Sequence, residues 1–159
     1  MAKGSKRKVA PGDVATNRQA RFRYELLEKF EAGIVLLGTE VKALRTEGAQ
    51  MTDAYATITP DGEVWLHNFH IPPYKPAARE NHQPDRSRKL LLHRREIERL
   101  VGRVRERGLT VVPTRVYFSN GNAKVELALA RGKDVHDKRE SIREREQKRE
   151  MDRAMGRRR

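Results

Sequence analysis

Histidine is the side chain best suited to moving protons near neutral pH, and the chain has five: His67, His70, His82, His93 and His136. They form no metal-ligand pattern. His67 and His70 stand three apart on an expected strand and so point to opposite faces, and the absence of cysteine leaves nothing to complete a tetrahedral zinc site. There is no Gly-rich phosphate loop followed by Lys-Ser/Thr, no Gly-x-Ser-x-Gly elbow, and no pair of acids in a glycosidase or nuclease motif. Acid–base chemistry by histidine requires only proximity, which leaves a His/Lys nuclease open, yet no pair stands out. The expectation from these residues is no metal and no cofactor.

The residues that remain suit RNA binding. Asn17-Arg18 precedes a segment with Phe22 and Tyr24, and Lys124 stands beside Glu126 on an expected strand. Bases stack on exposed rings while cations hold phosphates; for Phe22 and Tyr24 the alternative is ordinary core packing. The stretch Arg86 to Arg107 holds nine Lys or Arg against Glu96, Glu98 and Glu106, a net +6. It is either a solvated charged face or a phosphate-contacting surface.

The whole chain agrees with a polyanionic partner. Its 159 residues carry 35 Lys+Arg against 22 Asp+Glu, a net charge of +13, and each added cation is rewarded by counterion release from phosphates. Nucleic acid is the leading partner and an anionic membrane the second. No run approaches the ~20 apolar residues of a membrane span, and the basic start lacks the apolar stretch of a secretory signal. A soluble, cytoplasmic protein is expected.

Positioning these residues requires a core, and the charge distribution locates it. From Met1 to Arg21 the chain is +5, and from Lys133 to Arg159 it is +4 with only Val135, Ile142, Met151 and Met155 as large apolar side chains. The expected organisation is a basic arm over 1–16, a folded domain over 17–132 and a basic tail over 133–159. The tail is rich in helix formers but has no apolar stripe, so a helix there lacks tertiary support and would order on a partner.

Strand signals dominate the middle. Leu109 to Phe118, Asn120-Gly121 and the strictly alternating Ala123 to Leu129 predict a hairpin. A second hairpin runs from Tyr55 to Thr59 through Asp61-Gly62 into Val64 to Phe69, and Pro72-Pro73 ends its pairing. The segment Phe22 to Leu37 reads as a long strand bent at a glycine, and Thr39 to Arg45 as a short helix ended by Gly48. Ile97, Leu100, Val101 and Val104 mark a helix that starts near His93, closes at Gly108 and turns Arg95, Arg99 and Arg103 away from its apolar side. The fold class expected is mainly β with helices: an OB-like antiparallel barrel with two or three helices.

Seven motifs in register then resemble one family, the tmRNA-binding protein, small protein B (SsrA-binding protein). They are Asn17-Arg18-x-Ala20, Phe30-Glu-Ala-Gly-Ile34, Gly38-Thr-Glu-Val-Lys42-x-Leu44-Arg45, Asp53-x-Tyr55, Arg88-Lys-Leu-Leu-Leu92, Gly108-Leu-Thr-Val-Val-Pro113, and Gly132-Lys133-x-x-His136-Asp137-Lys138-Arg139. The resemblance runs from about Asn17 to beyond Arg149. It implies an OB-like fold that binds the tRNA-like domain of transfer-messenger RNA and brings it to stalled 70S ribosomes for trans-translation. It further implies that the protein is not an enzyme, with alanyl-tRNA synthetase and elongation factor Tu acting on the same RNA; a monomer is expected.

The same resemblance implies an RNA-binding set of Asn17, Tyr24, Glu31, Leu91 and Lys124, to which the reading of the residues adds Arg18. It implies a tail, disordered alone and helical in the mRNA channel near the decoding centre, that engages the ribosome through Gly132, Lys133, His136, Asp137, Lys138, Arg139 and Ile142. Asp134 stands where the family commonly has a basic residue, and Met51 where it has a smaller aliphatic one. Two other readings stand beside the adaptor: a ribosomal or general structural RNA-binding protein, and a His-dependent ribonuclease.

Overall fold

Alternating residues become strands and turn residues end them in the computed structural model, which describes residues 12–105, 109–133 and 135–156. In chain order the elements are β1 (Asp13–Thr16), α1 (Arg18–Arg23), β2 (Tyr24–Ile34), α2 (Gly38–Glu47), β3 (Tyr55–Ile58) and β4 (Val64–His67). A 3-10 segment (Lys75–Glu80) follows, then β5 (Arg88–Leu91), α3 (Arg94–Arg105), β6 (Leu109–Ser119), β7 (Asn122–Gly132) and α4 (Val135–Gly156).

The strands make one antiparallel sheet of seven in the order β1-β6-β3-β4-β5-β2-β7, and β7 pairs again with β6. The pairings of β6, β3, β4, β5, β2 and β7 therefore return on themselves, with β1 added outside β6. The cycle is thinnest where β3 meets β6, through the single pair Ala56–Val111, and at β2–β5, through Gly33–Leu91 and Ile34–Leu90. Inside it lies a continuous apolar core that includes Phe30, Ala32, Leu66, Leu90, Val111, Val125, Leu127 and Leu129, with Ala43 and Leu44 of α2 and Leu100 of α3 packed on it.

Both expected hairpins form. Asn120 (φ 50) and Gly121 (φ 79) occupy the left-handed region that a two-residue turn of this hand requires, and β6 and β7 pair from Leu109–Arg131 to Ser119–Asn122. The second hairpin is shorter than expected. Asn68 (φ 57) turns the chain after His67, and Phe69 enters the core beyond the end of the strand, fully buried.

Two other expectations change. Phe22 lies in α1, not on a strand. That six-residue helix has no apolar stripe to announce it; it is held by tertiary packing of Ala20 on Val112, Ala128 and Ala130. The irregularity of β2 is a register shift between Leu26 and Glu28, so an inserted residue bends the strand, as in a bulge, and no glycine is involved. The described residues hold four α-helices, α1 to α3 in the domain for which two or three were expected and α4 in the tail.

A buried ion cluster ties α2 to the sheet. The side chains of Glu40 (α2) and Arg88 (β5) are both fully buried and joined, and Arg86 also reaches Glu40. The remaining capacity is filled: Glu40 accepts from the Leu37 N–H at 3.0 Å, and Arg88 donates to the carbonyls of Arg86 at 3.0 Å and Pro84 at 3.1 Å. Burial alone would push the Glu40 carboxyl up, but the bonds from Arg86, the Leu37 N–H and Arg88 outweigh it and hold the group below its ordinary value.

Candidate nucleic-acid interface

Side chains directly opposite each other on paired strands share a face, and this rule assembles most of the expected site. Leu91 on β5 pairs with Gly33 on β2. Gly33 pairs with Lys124 on β7, and Lys124 pairs with Tyr117 on β6. One row thus crosses four strands on the outer face as Leu91, Gly33, Lys124, Tyr117. The next row along holds Glu31, Glu126 and Arg115.

Gly33 keeps this row open. A Cβ built there would stand in van der Waals contact with Leu91, 3.4 Å from its Cβ and 3.8 Å from its Cδ1, so the aliphatic side chain of Leu91 lies beside the bare glycine while remaining 54% exposed. Lys89 lies on the same face beside Trp65, and both reach Glu63, at 3.2 Å each. Val35, 45% exposed, follows β2. The result is an exposed apolar and aromatic strip with lysines at its side, suited to stacking and packing of bases or riboses next to phosphates.

Glu31 is not an isolated acid. It accepts a hydrogen bond from the Tyr117 hydroxyl across β7. Desolvation, then this bond and the charge of Glu31, push the Tyr117 phenol up to about 12. Tyr117 in turn lies under Arg115, whose guanidinium carbon is 4.4 Å from the ring centroid. Arg115 is itself held by Asp13 at 2.9 Å and Glu126 at 3.5 Å. Arg115 and Tyr117 escaped the sequence reading because their relation to Glu31 exists only through the register of β2 with β7; the signal that was available is the expected Asn120-Gly121 turn, which sets Tyr117 opposite Lys124.

Tyr24 lies toward the opposite end of β2, about 20 Å from Glu31 at ~3.3 Å per residue. Tyr24 pairs with Gly132, and the Lys133 N–H donates to the Arg23 carbonyl at 3.1 Å. The root of the tail therefore lies against Tyr24. Arg21, Tyr24, Glu25, Leu26, Lys29 and Lys133 line a shallow groove of about 370 Å³. Tyr24 is half-buried and also packs on the Ala20–Val112–Ala128 cluster, so core packing and surface exposure both hold for it.

Asn17 has a structural task. Its Oδ1 accepts from the Ala20 N–H at 3.2 Å, capping α1, and its Nδ2 donates to the Pro113 carbonyl at 2.9 Å. Only 7% of it is exposed. Arg18, by contrast, is exposed at the mouth of a cleft of about 630 Å³ that also holds Arg21, Phe22, Arg115, Glu126, Arg145 and Arg149. The cleft runs between α1 and α4, where the Arg145 guanidinium carbon lies 5.4 Å from the Phe22 ring centroid.

In the tail segment, Gly132 ends β7, Arg139 and Ile142 are exposed on α4, and the side chains of His136, Asp137 and Lys138 lie outside the described residues. The helix carries Ile142, Met151 and Met155 exposed, without a continuous apolar face. Among the other histidines, His82 is buried between the Thr39 hydroxyl at 2.9 Å and the Ile71 carbonyl at 3.0 Å. His67 bridges the hydroxyls of Thr57 at 2.7 Å and Ser87 at 2.8 Å, and His70 lies 2.8 Å from Asp85. Among the described residues no three His, Asp or Glu side chains converge as metal ligands, and no helix is long and apolar enough to cross a membrane.

A basic antiparallel sheet whose exposed strand face sets aliphatic and aromatic surface beside lysine defines a protein of the nucleic-acid-binding class. The sequence pattern of the SmpB protein family matches residues 14–157, and the chain belongs to that family. It is 57% identical over 144 residues to the SsrA-binding protein of Parafrankia sp. (strain EAN1pec), covering 91% of this chain and 90% of that one. It is 55% identical over 141 residues to the SsrA-binding protein of Sulfurihydrogenibium sp. (strain YO3AOP1), covering 89% and 92%. A solved structure described as "tmRNA-SmpB: a journey to the center of the bacterial ribosome" superposes with a TM-score of 0.66 at 48% identity, over 81% of this chain and 94% of that one.

Proposed function

We propose that this protein binds the tRNA-like domain of transfer-messenger RNA and delivers it to stalled ribosomes for trans-translation. The observation that carries the reading is the likeness to SsrA-binding relatives over nine-tenths of both chains. Sheet register supports its location: Leu91, Glu31 and Lys124 share one outer face. The closed cycle of strand pairings supports describing the folded domain, 17–132, as an OB-type barrel.

Within this reading Arg18, Tyr24, Glu31, Leu91 and Lys124 touch RNA, and Asn17 acts by fixing α1 beside it. Residues 1–16 form a basic arm. The tail, 133–159, is disordered alone and becomes helical in the mRNA channel near the decoding centre, with Gly132, Lys133, His136, Asp137, Lys138, Arg139 and Ile142 engaging the ribosome. The helix over Val135–Gly156 and its lack of an apolar face support a segment that uses a partner for its stability. Such an adaptor performs no catalysis of its own, works in the cytoplasm as a monomer, and meets alanyl-tRNA synthetase and elongation factor Tu only through the shared RNA.

The test is to recover the protein from cell extract and sequence the RNA that accompanies it. Dominance of transfer-messenger RNA is expected. Retention on salt-washed ribosomal subunits without that RNA would instead favour a general ribosomal protein.

A further inference from the structure

A carboxylate in an RNA interface repels phosphate, and it helps binding only where it accepts from a base amino or imino group. An exposed glutamate also wanders among rotamers, so selective readout requires something to hold it. Glu31 is exposed on the strand face and has one such restraint: its Oε2 accepts from the Tyr117 hydroxyl. Among the described residues it makes no other hydrogen bond or ion pair, which leaves Oε1 open as an acceptor. The neighbouring acids differ. Glu126 is taken by Thr114 and Arg115, and Asp13 by Arg115.

The bond spans β7 diagonally. Glu31 stands in the row of Glu126, whereas Tyr117 stands in the row of Lys124, so the restrained carboxylate is drawn toward the lysine and toward the open floor left by Gly33 and Leu91. Lys124 has no acid partner among the described residues. A nucleotide packed on Leu91 would thus find a cation for its phosphate and an oriented acceptor for its base edge within one pleat. The Tyr117 ring is itself clamped by Arg115 at 4.4 Å, and its raised pKa keeps the hydroxyl a donor throughout the working pH range.

We propose that Tyr117 is a specificity-determining positioning residue of the RNA interface, holding Glu31 so that its second carboxylate oxygen accepts from a base amino or imino group of the bound RNA. The inference rests on the RNA-binding reading above and adds to it a residue that would otherwise pass as a packed surface tyrosine. Tyr117→Phe removes only the hydroxyl and retains the ring beneath Arg115.

The experiment measures affinity for the tRNA-like domain of transfer-messenger RNA and for an unrelated structured RNA of equal length, across a salt series. The proteins are wild type, Tyr117→Phe, Glu31→Ala, the double variant and Lys124→Ala. Tyr117→Phe should weaken cognate binding by roughly 10- to 150-fold, as expected for one hydrogen bond to a charged group, change the unrelated RNA by less than about twofold, and leave the salt slope unaltered. In the double variant the Tyr117 change should add nothing to the loss from Glu31→Ala. Unchanged cognate affinity in Tyr117→Phe, equal losses for both RNAs, or additive losses would overturn the proposal. Lys124→Ala separates this from the wider reading: if it weakens binding while Tyr117→Phe is silent, only the role of Tyr117 falls; if neither matters, the interface itself lies elsewhere.

Discussion

Asn17 and Pro113 are 96 residues apart in sequence, yet the Asn17 side-chain amide donates to the Pro113 carbonyl at 2.9 Å while its oxygen caps α1 through Ala20. One small side chain thereby pins the first helix to β6, beside the cleft that holds Arg18 and Phe22. Asn17→Ala should therefore cost about 1 to 3 kcal/mol of stability, from a lost cap and an unpaired buried carbonyl. Chemical denaturation checks it. Unaltered stability together with weakened RNA binding would make Asn17 a direct RNA contact instead.

Lys124 stands on the outer face between Gly33 and Tyr117. Removing a lysine that neutralises one phosphate lowers the slope of log K against log salt by about one contact, and weakens related and unrelated RNAs alike. Lys124→Ala should show both effects in a salt titration. A full slope from the folded variant would place its ammonium away from phosphate.

Glu40 is the carboxylate that both Arg88 and Arg86 pair with, so removing it strands the fully buried Arg88. Glu40→Leu should cost about 3 to 5 kcal/mol, whereas replacing Glu40 and Arg88 together by apolar residues of similar volume should cost less. Because the folded Glu40 carboxyl is held below its unfolded value of 4.5, its contribution is present above pH 4.5 and is lost as pH falls through the lower folded value. Stability measured against pH should accordingly show a shallower acid limb for Glu40→Gln than for the wild type. An unchanged limb would assign acid unfolding to other carboxylates.

The core members all precede Gly132, so truncation after Gly132 should leave the domain folded. Affinity for the tRNA-like RNA should fall by less than about tenfold, reflecting lost net positive charge, while peptide tagging on stalled ribosomes should disappear. A tail of identical composition in scrambled order distinguishes charge from sequence. Full tagging with that version would reduce the tail to a basic tether.

Much of the architecture was legible because it depends on local rules. The Asn120-Gly121 turn, the alternation through Val125, Leu127 and Leu129, and the 3.6-residue spacing of Ile97, Leu100, Val101 and Val104 each depend on neighbours in the chain. Where a structure depended on distant residues the reading failed. The helix of Phe22 is held by Ala20 against Val112, Ala128 and Ala130, and the bend in β2 arises from its register with β7; neither leaves a mark in the segment itself.

The interface divides in the same way. Composition and motif order determined by themselves that this chain meets a polyanion, and residue resemblance brought Glu31, Leu91 and Lys124 forward as candidates. Only the tertiary structure decided that those three share one face with Tyr117, that Asn17 faces inward, and that Tyr24 lies at the root of the tail. The physical reason is that strand pairing sets which side chains stand opposite one another. Pairing of β2 with β5 and with β7 joins positions more than fifty residues apart, and a one-residue slip in either ladder would turn Lys124 or Leu91 to the opposite face.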